Sequence, residues 1–153
     1  MANRKTVLFV CTGNSCRSVM AKGLLEKKLK EINRPNVEVL SAGIAMVAGL
    51  GATEETRRLL AREGIDVSGH LSQKVTQDLV KKSDLILVME KLHEERMLEL
   101  TPEAKNRLFL LKEFAKIGDN NLNIIDPIGK SEDFYAETFG TIKEAIERIS
   151  ALI

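Results

Sequence analysis

The segment Thr6–Ser18, TVLFVCTGNSCRS, runs a short apolar strand into two cysteines five positions apart, with an arginine directly after the second. A glycine-containing loop that leaves a strand and opens a helix turns several main-chain N–H groups inward, and the first helical turn adds unpaired donors. Such a nest, offered here by Thr12, Gly13, Asn14, Ser15 and Cys16, binds a tetrahedral oxyanion. Arg17 adds a planar, permanently charged fork that suits two oxygens of a phosphate. Cys11 sits at the rim with its sulfur aimed at the same centre, where positive potential favours the thiolate. A thiolate beneath a phosphate can attack phosphorus in line, forming a phosphocysteine that water later hydrolyses.

That step needs a proton donor for the leaving group. Asp126, in IIDPIGKS, offers a carboxyl on a loop, and Pro127 restricts its backbone to extended conformations. Asp-Pro is also an ordinary turn signal. Its position after the last strand, however, brings Asp126 to the same sheet edge as the first loop, where it can serve as general acid and then as base. Cys16 has two readings, a small packing residue or the partner of Cys11 in a reversible disulfide that shields the nucleophile. Cys11, Cys16, His70 and His93 match no common structural zinc spacing, so no metal or other cofactor is expected, and His93, on a charged helix face, is expected in solvent.

The elements that must position these groups alternate between apolar runs and helical periods. VLFVC (7–11) is nearly continuous in apolar residues, as in a strand covered on both faces. From Ser18 a helix presents Ala21, Leu24, Leu25, Leu29 and Ile32 on one side. A second strand spans 37–43, followed by a Gly-rich loop whose Met46 and Val47 are candidates for a cleft wall. Thr53 then caps a helix ending at Gly64. Residues 73–82 read as a short helix and 84–89 as a third strand. Residues 91–100 are helical through Leu92, Arg96, Met97 and Leu100, and Pro102 follows. RLFLLK (107–112) is the fourth strand, 115–130 a long loop, and Ser131 caps a last helix buried through Tyr135, Phe139, Ile142, Ala145, Ile149 and Leu152. The expectation is one α/β domain over residues 1–153: a small doubly wound four-stranded parallel sheet with helices on both faces and an N-terminal phosphate-binding loop.

With 23 basic and 22 acidic residues, the net charge of +1 leaves no footprint for nucleic acid or an anionic membrane surface, so any anion must be held locally. No apolar run reaches membrane-spanning length, and the one after the basic start MANRK is too short for a signal-peptide core. Both cysteines lie in one loop, which fits a reducing cytoplasm.

VCTGNSCRS, SAG, GHLSQ, SDLILVM and DPIGKS, in this order and at these spacings, resemble the low-molecular-weight protein-tyrosine phosphatases over essentially the whole chain. The resemblance implies action on phosphorylated proteins, with Cys11 as nucleophile, Arg17 as clamp and Asp126 as general acid, and a monomer is expected. It further implies that Ser18 hydrogen-bonds the thiolate, that Asn14 braces the loop in a left-handed conformation, and that Ser41 and His70 support that brace. Where tyrosine-directed members carry a branched aliphatic loop residue and tyrosines after Asp-Pro, this chain has Ser15, Ile128 and Gly129. In these features it is similar to the bacterial protein-arginine phosphatases, and the expectation leans toward phosphoarginine. The loop CTGNSCRS also resembles that of thioredoxin-coupled arsenate reductases, but 85–97 lacks the further cysteines of their relay. Arsenate reduction is therefore the alternative, together with a domain that binds phosphorylated ligands without hydrolysing them.

Overall fold

Strand β1 (Lys5–Cys11) is buried from Thr6 onward, and its side chains alternate between two cores. Val7, Phe9 and Cys11 face one, Leu8 and Val10 the other. This two-sided burial explains the uninterrupted apolar run. In the computed structural model, which describes residues 4–153, β1 pairs in parallel with β2 (Val37–Gly43) and β3 (Leu85–Val88). β3 pairs in parallel with β4 (Leu108–Leu110), so the order is β2-β1-β3-β4. Met1–Asn3, the opening of the basic start weighed above as a leader, lie outside the described residues.

One face is covered by α1 (Arg17–Glu31), α2 (Glu54–Arg62), α5 (Leu111–Phe114) and α6 (Glu132–Ser150). The other is covered by α3 (Gln77–Lys82), α4 (Lys91–Leu100) and a 3-10 turn over Pro102–Arg107. Each large apolar side chain taken from water there contributes about 1.5–3 kcal/mol. Thr53, Thr76 and Ser131 cap their helices by accepting from the N–H groups of Thr56, Leu79 and Phe134. The chain leaves β1 toward β2 and leaves β3 toward β4, so loops diverge between β1 and β3 and open a crevice at the strands' carboxyl ends.

Several expectations are corrected in detail. The helix expected from 73 starts at Gln77, because Thr76 caps it and the Val75 N–H is taken by the Gly43 carbonyl at 2.9 Å. The fourth strand ends at Leu110, where the chain coils into α5. Ile32 (39% exposed) and Leu152 (59%) lie just beyond their helices' last turns, where the buried stripes have run out. Leu92 and Leu100 are 51% and 40% exposed, because α4 turns its His93 and Met97 side inward. Those two are one helical turn apart and share a face, whereas Leu92 is rotated by about 100° from His93.

Candidate active site

Cys11 ends β1 and Arg17 begins α1, so the anion-binding loop is only the five residues between them. Two features make its shape obligatory. Asn14 is fully buried with φ +53°, a left-handed conformation that asparagine tolerates better than most residues. Gly43, opposite Cys11 on β2, lies so close that a Cβ would come 2.6 Å from the Thr12 carbonyl oxygen. The Ile44 and Ala45 N–H groups bond the Cys11 and Thr12 carbonyls at 3.0 and 3.1 Å, tying the loop to β2's exit.

The Asn14 side chain is fixed at both ends. Its Oδ1 accepts from the Gln73 main-chain N–H at 3.0 Å, which leaves Nδ2 to donate to Ser18 Oγ at 2.8 Å. Ser18 Oγ lies 3.0 Å from Cys11 Sγ, and with its lone pair engaged by Asn14 its hydrogen is free to donate to the sulfur. His70 Nε2 donates to the Asn14 carbonyl at 2.8 Å. Ser41 is buried and reaches this network through its main chain, its carbonyl accepting from Gln73 Nε2 at 3.0 Å. Gln73, which joins Ser41 to Asn14, carried no signal of its own in the sequence beyond its place after GHLS.

At the helix end, Cys16 occupies the N-cap of α1 without a side-chain cap, and the first turn holds no acidic residue. Among the described residues, no protein acceptor is bonded to the main-chain N–H groups from Gly13 to Ser18. Unpaired donors at a helix start carry partial positive charge and favour an anion. The Arg17 side chain is 1% exposed, donating through Nη1 to Glu90 Oε2 (2.5 Å) and the Ile124 carbonyl (2.7 Å). Its Nη2 lies 3.4 Å from Thr12 Oγ1 and 3.7 Å from Asp126 Oδ2, and its buried Nε has no acceptor among the described residues. A buried, unpaired guanidinium N–H beside unpaired loop N–H groups is what an oxyanion site requires.

Asp126 comes from the loop after α5. Its Oδ1 accepts from the Ile128 N–H at 3.0 Å, and the Lys130 N–H bonds the Pro127 carbonyl at 2.9 Å. Gly129, at φ +79°, supplies the positive φ of that tight turn. The loop is moored where the Ile124 N–H bonds the Met89 carbonyl at 2.8 Å, just past β3. Cys16 Sγ is buried among hydroxyls, 3.4 Å from Thr53 Oγ1 and 3.5 Å from Tyr135 OH. Both cysteines are free thiols. Burial first, and then the proximity of Cys16, push the Tyr135 phenol upward, so it stays a neutral donor.

Two further residues of the site went unrecognised in the sequence. Glu90 follows the apolar run of β3, and a residue just beyond a strand's carboxyl end in this topology faces the crevice; that position was its signal. His93, expected in solvent, is fully buried, and its ring bonds both the Glu90 N–H and Thr12 Oγ1. The α4 periodicity was misjudged because Leu92 and Leu100 outweighed a histidine as markers of the inner face.

These geometries have relatives. The family model for low molecular weight phosphotyrosine protein phosphatases matches residues 6–153. The chain is 36% identical over 152 residues, 97% of its length and 98% of the relative's, to the probable low molecular weight protein-tyrosine-phosphatase EpsP of Ralstonia nicotianae. The YwlE arginine phosphatase structure from Geobacillus stearothermophilus superposes with a TM-score of 0.87 at 34% identity, covering 97% of this chain and 92% of that one. The low molecular weight protein tyrosine phosphatase structure from T. tengcongensis superposes with a TM-score of 0.90 at 32% identity, covering 97% and 99%. Matched from β1 through α6, the chain belongs to the low-molecular-weight phosphotyrosine protein phosphatase family.

Proposed function

We propose that this protein is a cysteine-dependent protein phosphatase that prefers phosphoarginine, with phosphotyrosine as its second substrate class. The observation that carries the chemistry is the convergence on one loop of Cys11 Sγ, bonded to Ser18 Oγ at 3.0 Å, with the buried Arg17 whose Nε has no protein partner. On this reading the Gly13–Ser18 N–H groups and Arg17 hold the phosphoryl oxygens while the Cys11 thiolate attacks phosphorus. The bond from phosphorus to the leaving nitrogen or oxygen breaks, and Asp126 protonates the departing atom. Water then attacks the phosphocysteine, Asp126 takes its proton, and the sulfur leaves as a thiolate stabilised by the Ser18 hydroxyl. Inorganic phosphate is released and no cofactor is consumed.

Side chains around the loop support a protein substrate over a bare oxyanion. Val47, Leu50, Leu71 and Ile128 are each at least half exposed. The first three sit on segments laced together through Ser72, whose N–H bonds the Leu50 carbonyl and whose hydroxyl donates to the Val47 carbonyl. Such an apolar rim suits the flanks of a phosphorylated side chain. Arsenate reduction by a relay needs resolving thiols, and the chain has only Cys11 and Cys16. Support for phosphoarginine comes from Ser15, a partly exposed loop hydroxyl that can bond a guanidine N–H where an aliphatic residue would pack against a phenyl ring. It also comes from the absence of tyrosine in the DPIG turn.

We read the chain as one domain acting as a cytoplasmic monomer, in which Cys16 can close a protective disulfide on Cys11. Among the described residues no helix is long and apolar enough to cross a membrane.

The deciding experiment compares kcat/KM on matched phosphoarginine and phosphotyrosine peptides for the wild type and Ser15→Ile, with Cys11→Ser as control. Cys11→Ser is expected to lose about 10⁴-fold or more. Phosphoarginine should be preferred, with the order reversed in Ser15→Ile. Preference for phosphotyrosine in both proteins overturns the phosphoarginine reading, and a fully active Cys11→Ser overturns the mechanism.

A further inference from the structure

His93 is fully buried, yet none of the chemistry above uses it. Its Nδ1 accepts the Glu90 main-chain N–H at 3.0 Å. A ring nitrogen that accepts from an N–H carries no hydrogen, so the neutral ring bears its proton on Nε2. Burial, reinforced by the charge of Arg17, keeps the ring neutral, with its pKa pushed down to about 3. Nε2 lies 2.9 Å from Thr12 Oγ1 and must be the donor there.

Arg17 Nη2, which can only donate, approaches the same oxygen at 3.4 Å. Both lone pairs of the Thr12 hydroxyl are thus addressed, and its own hydrogen must point to a third group. Among the described residues no acceptor is paired with it. The same Nη2 lies 3.7 Å from Asp126 Oδ2, so the hydroxyl borders the space between clamp and acid.

We propose that His93 is a positioning residue: by donating to Thr12 it turns the Thr12 hydroxyl hydrogen toward the bound oxyanion, making that side chain an additional donor in the cradle. The inference rests on the phosphatase reading only in requiring that the loop bind an oxyanion. His93 also joins the Glu90 corner, which holds Arg17 through Nη1, to the loop that holds Cys11. One buried ring therefore couples the clamp to the cradle.

The test is calorimetric binding of inorganic phosphate to the full chain, with kcat and KM on an aryl phosphate measured alongside. Thr12→Val and His93→Ala should each weaken phosphate binding about tenfold, as expected for one hydrogen bond to a charged group. The double variant should be no weaker than the weaker single one, because both remove the same donor. His93→Gln, whose amide N–H can reach Thr12, and Thr12→Ser should restore most of the affinity.

A merely structural His93 would lower the melting temperature and leave the affinity of the folded protein intact. That result overturns the proposal, as do losses that multiply to about a hundredfold in the double variant. Should His93→Ala fail to fold, Thr12→Val against His93→Gln/Thr12→Val decides: unchanged phosphate binding in Thr12→Val overturns the proposal. A wild type that binds phosphate but releases none from any phosphopeptide refutes the phosphatase reading while leaving this one standing. Intact turnover without coupling refutes this one alone.

Discussion

Asn14 and Asp126 belong to one site and are held very differently. Asn14 is sealed from solvent in a left-handed conformation, with Oδ1, Nδ2 and the main-chain carbonyl all bonded. Asp126 has a side chain 38% exposed, a local bond to Ile128, and a 3.7 Å approach to Arg17. Its loop hangs from moorings at Ile124, at Asn123, which accepts from the Lys91 N–H, and at Lys112, which bonds Asp119 and the Asn121 carbonyl. The contrast follows from what each half must do. Groups that meet developing charge work best when they need not reorganise, which favours the rigid cradle. A proton donor must admit leaving groups and let them go, which favours a loop.

The largest effect that would sharpen this contrast is on Asp126→Ala. Loss of the general acid should lower kcat by about 10²–10⁴-fold, while urea unfolding shows a change within about 0.5 kcal/mol of zero. A large loss of stability would mean that the acid half is as structural as the cradle. In the rigid half, Asn14→Ala deletes two buried side-chain bonds and puts at positive φ a residue that tolerates the left-handed conformation less well than asparagine. The expected cost is about 2–4 kcal/mol of unfolding free energy; a cost below about 1 kcal/mol would break the comparison.

A smaller effect tests the cradle's dependence on a neutral His93. The unfolded histidine takes up a proton near its ordinary value of 6.5, whereas the folded one resists until about 3. Its contribution is therefore complete above pH 6.5 and is lost as the pH falls toward the folded value, amounting to up to ~2 kcal/mol by pH 5. The facing charges are Arg17 from α1 and Glu90 at the start of its own helix. Unfolding curves at pH 7 and pH 5 for the wild type and His93→Gln check this: the variant should lose that part of the slope, and equal slopes would refute it.

The nucleophile loop was readable because it is contiguous. Strand, Gly13, Cys11, Arg17 and helix start lie within a dozen residues, and their chemistry follows from local geometry whatever surrounds them. The sheet was legible for the same kind of reason, since an apolar run covered on both sides and hydroxyl caps such as Thr53 and Ser131 act within one strand or one turn. What packing alone decided were pairings across long separations: Arg17 with Glu90, 73 positions on, and Thr12 with His93, 81 positions on. Spacing on α4 allowed either a Leu92 or a His93 face to turn inward. Hydrophobicity favoured the wrong one, because a histidine is tolerated in a core only when both ring nitrogens find partners. Those partners, the Glu90 N–H and Thr12 Oγ1, come together only once β1 and β3 lie side by side.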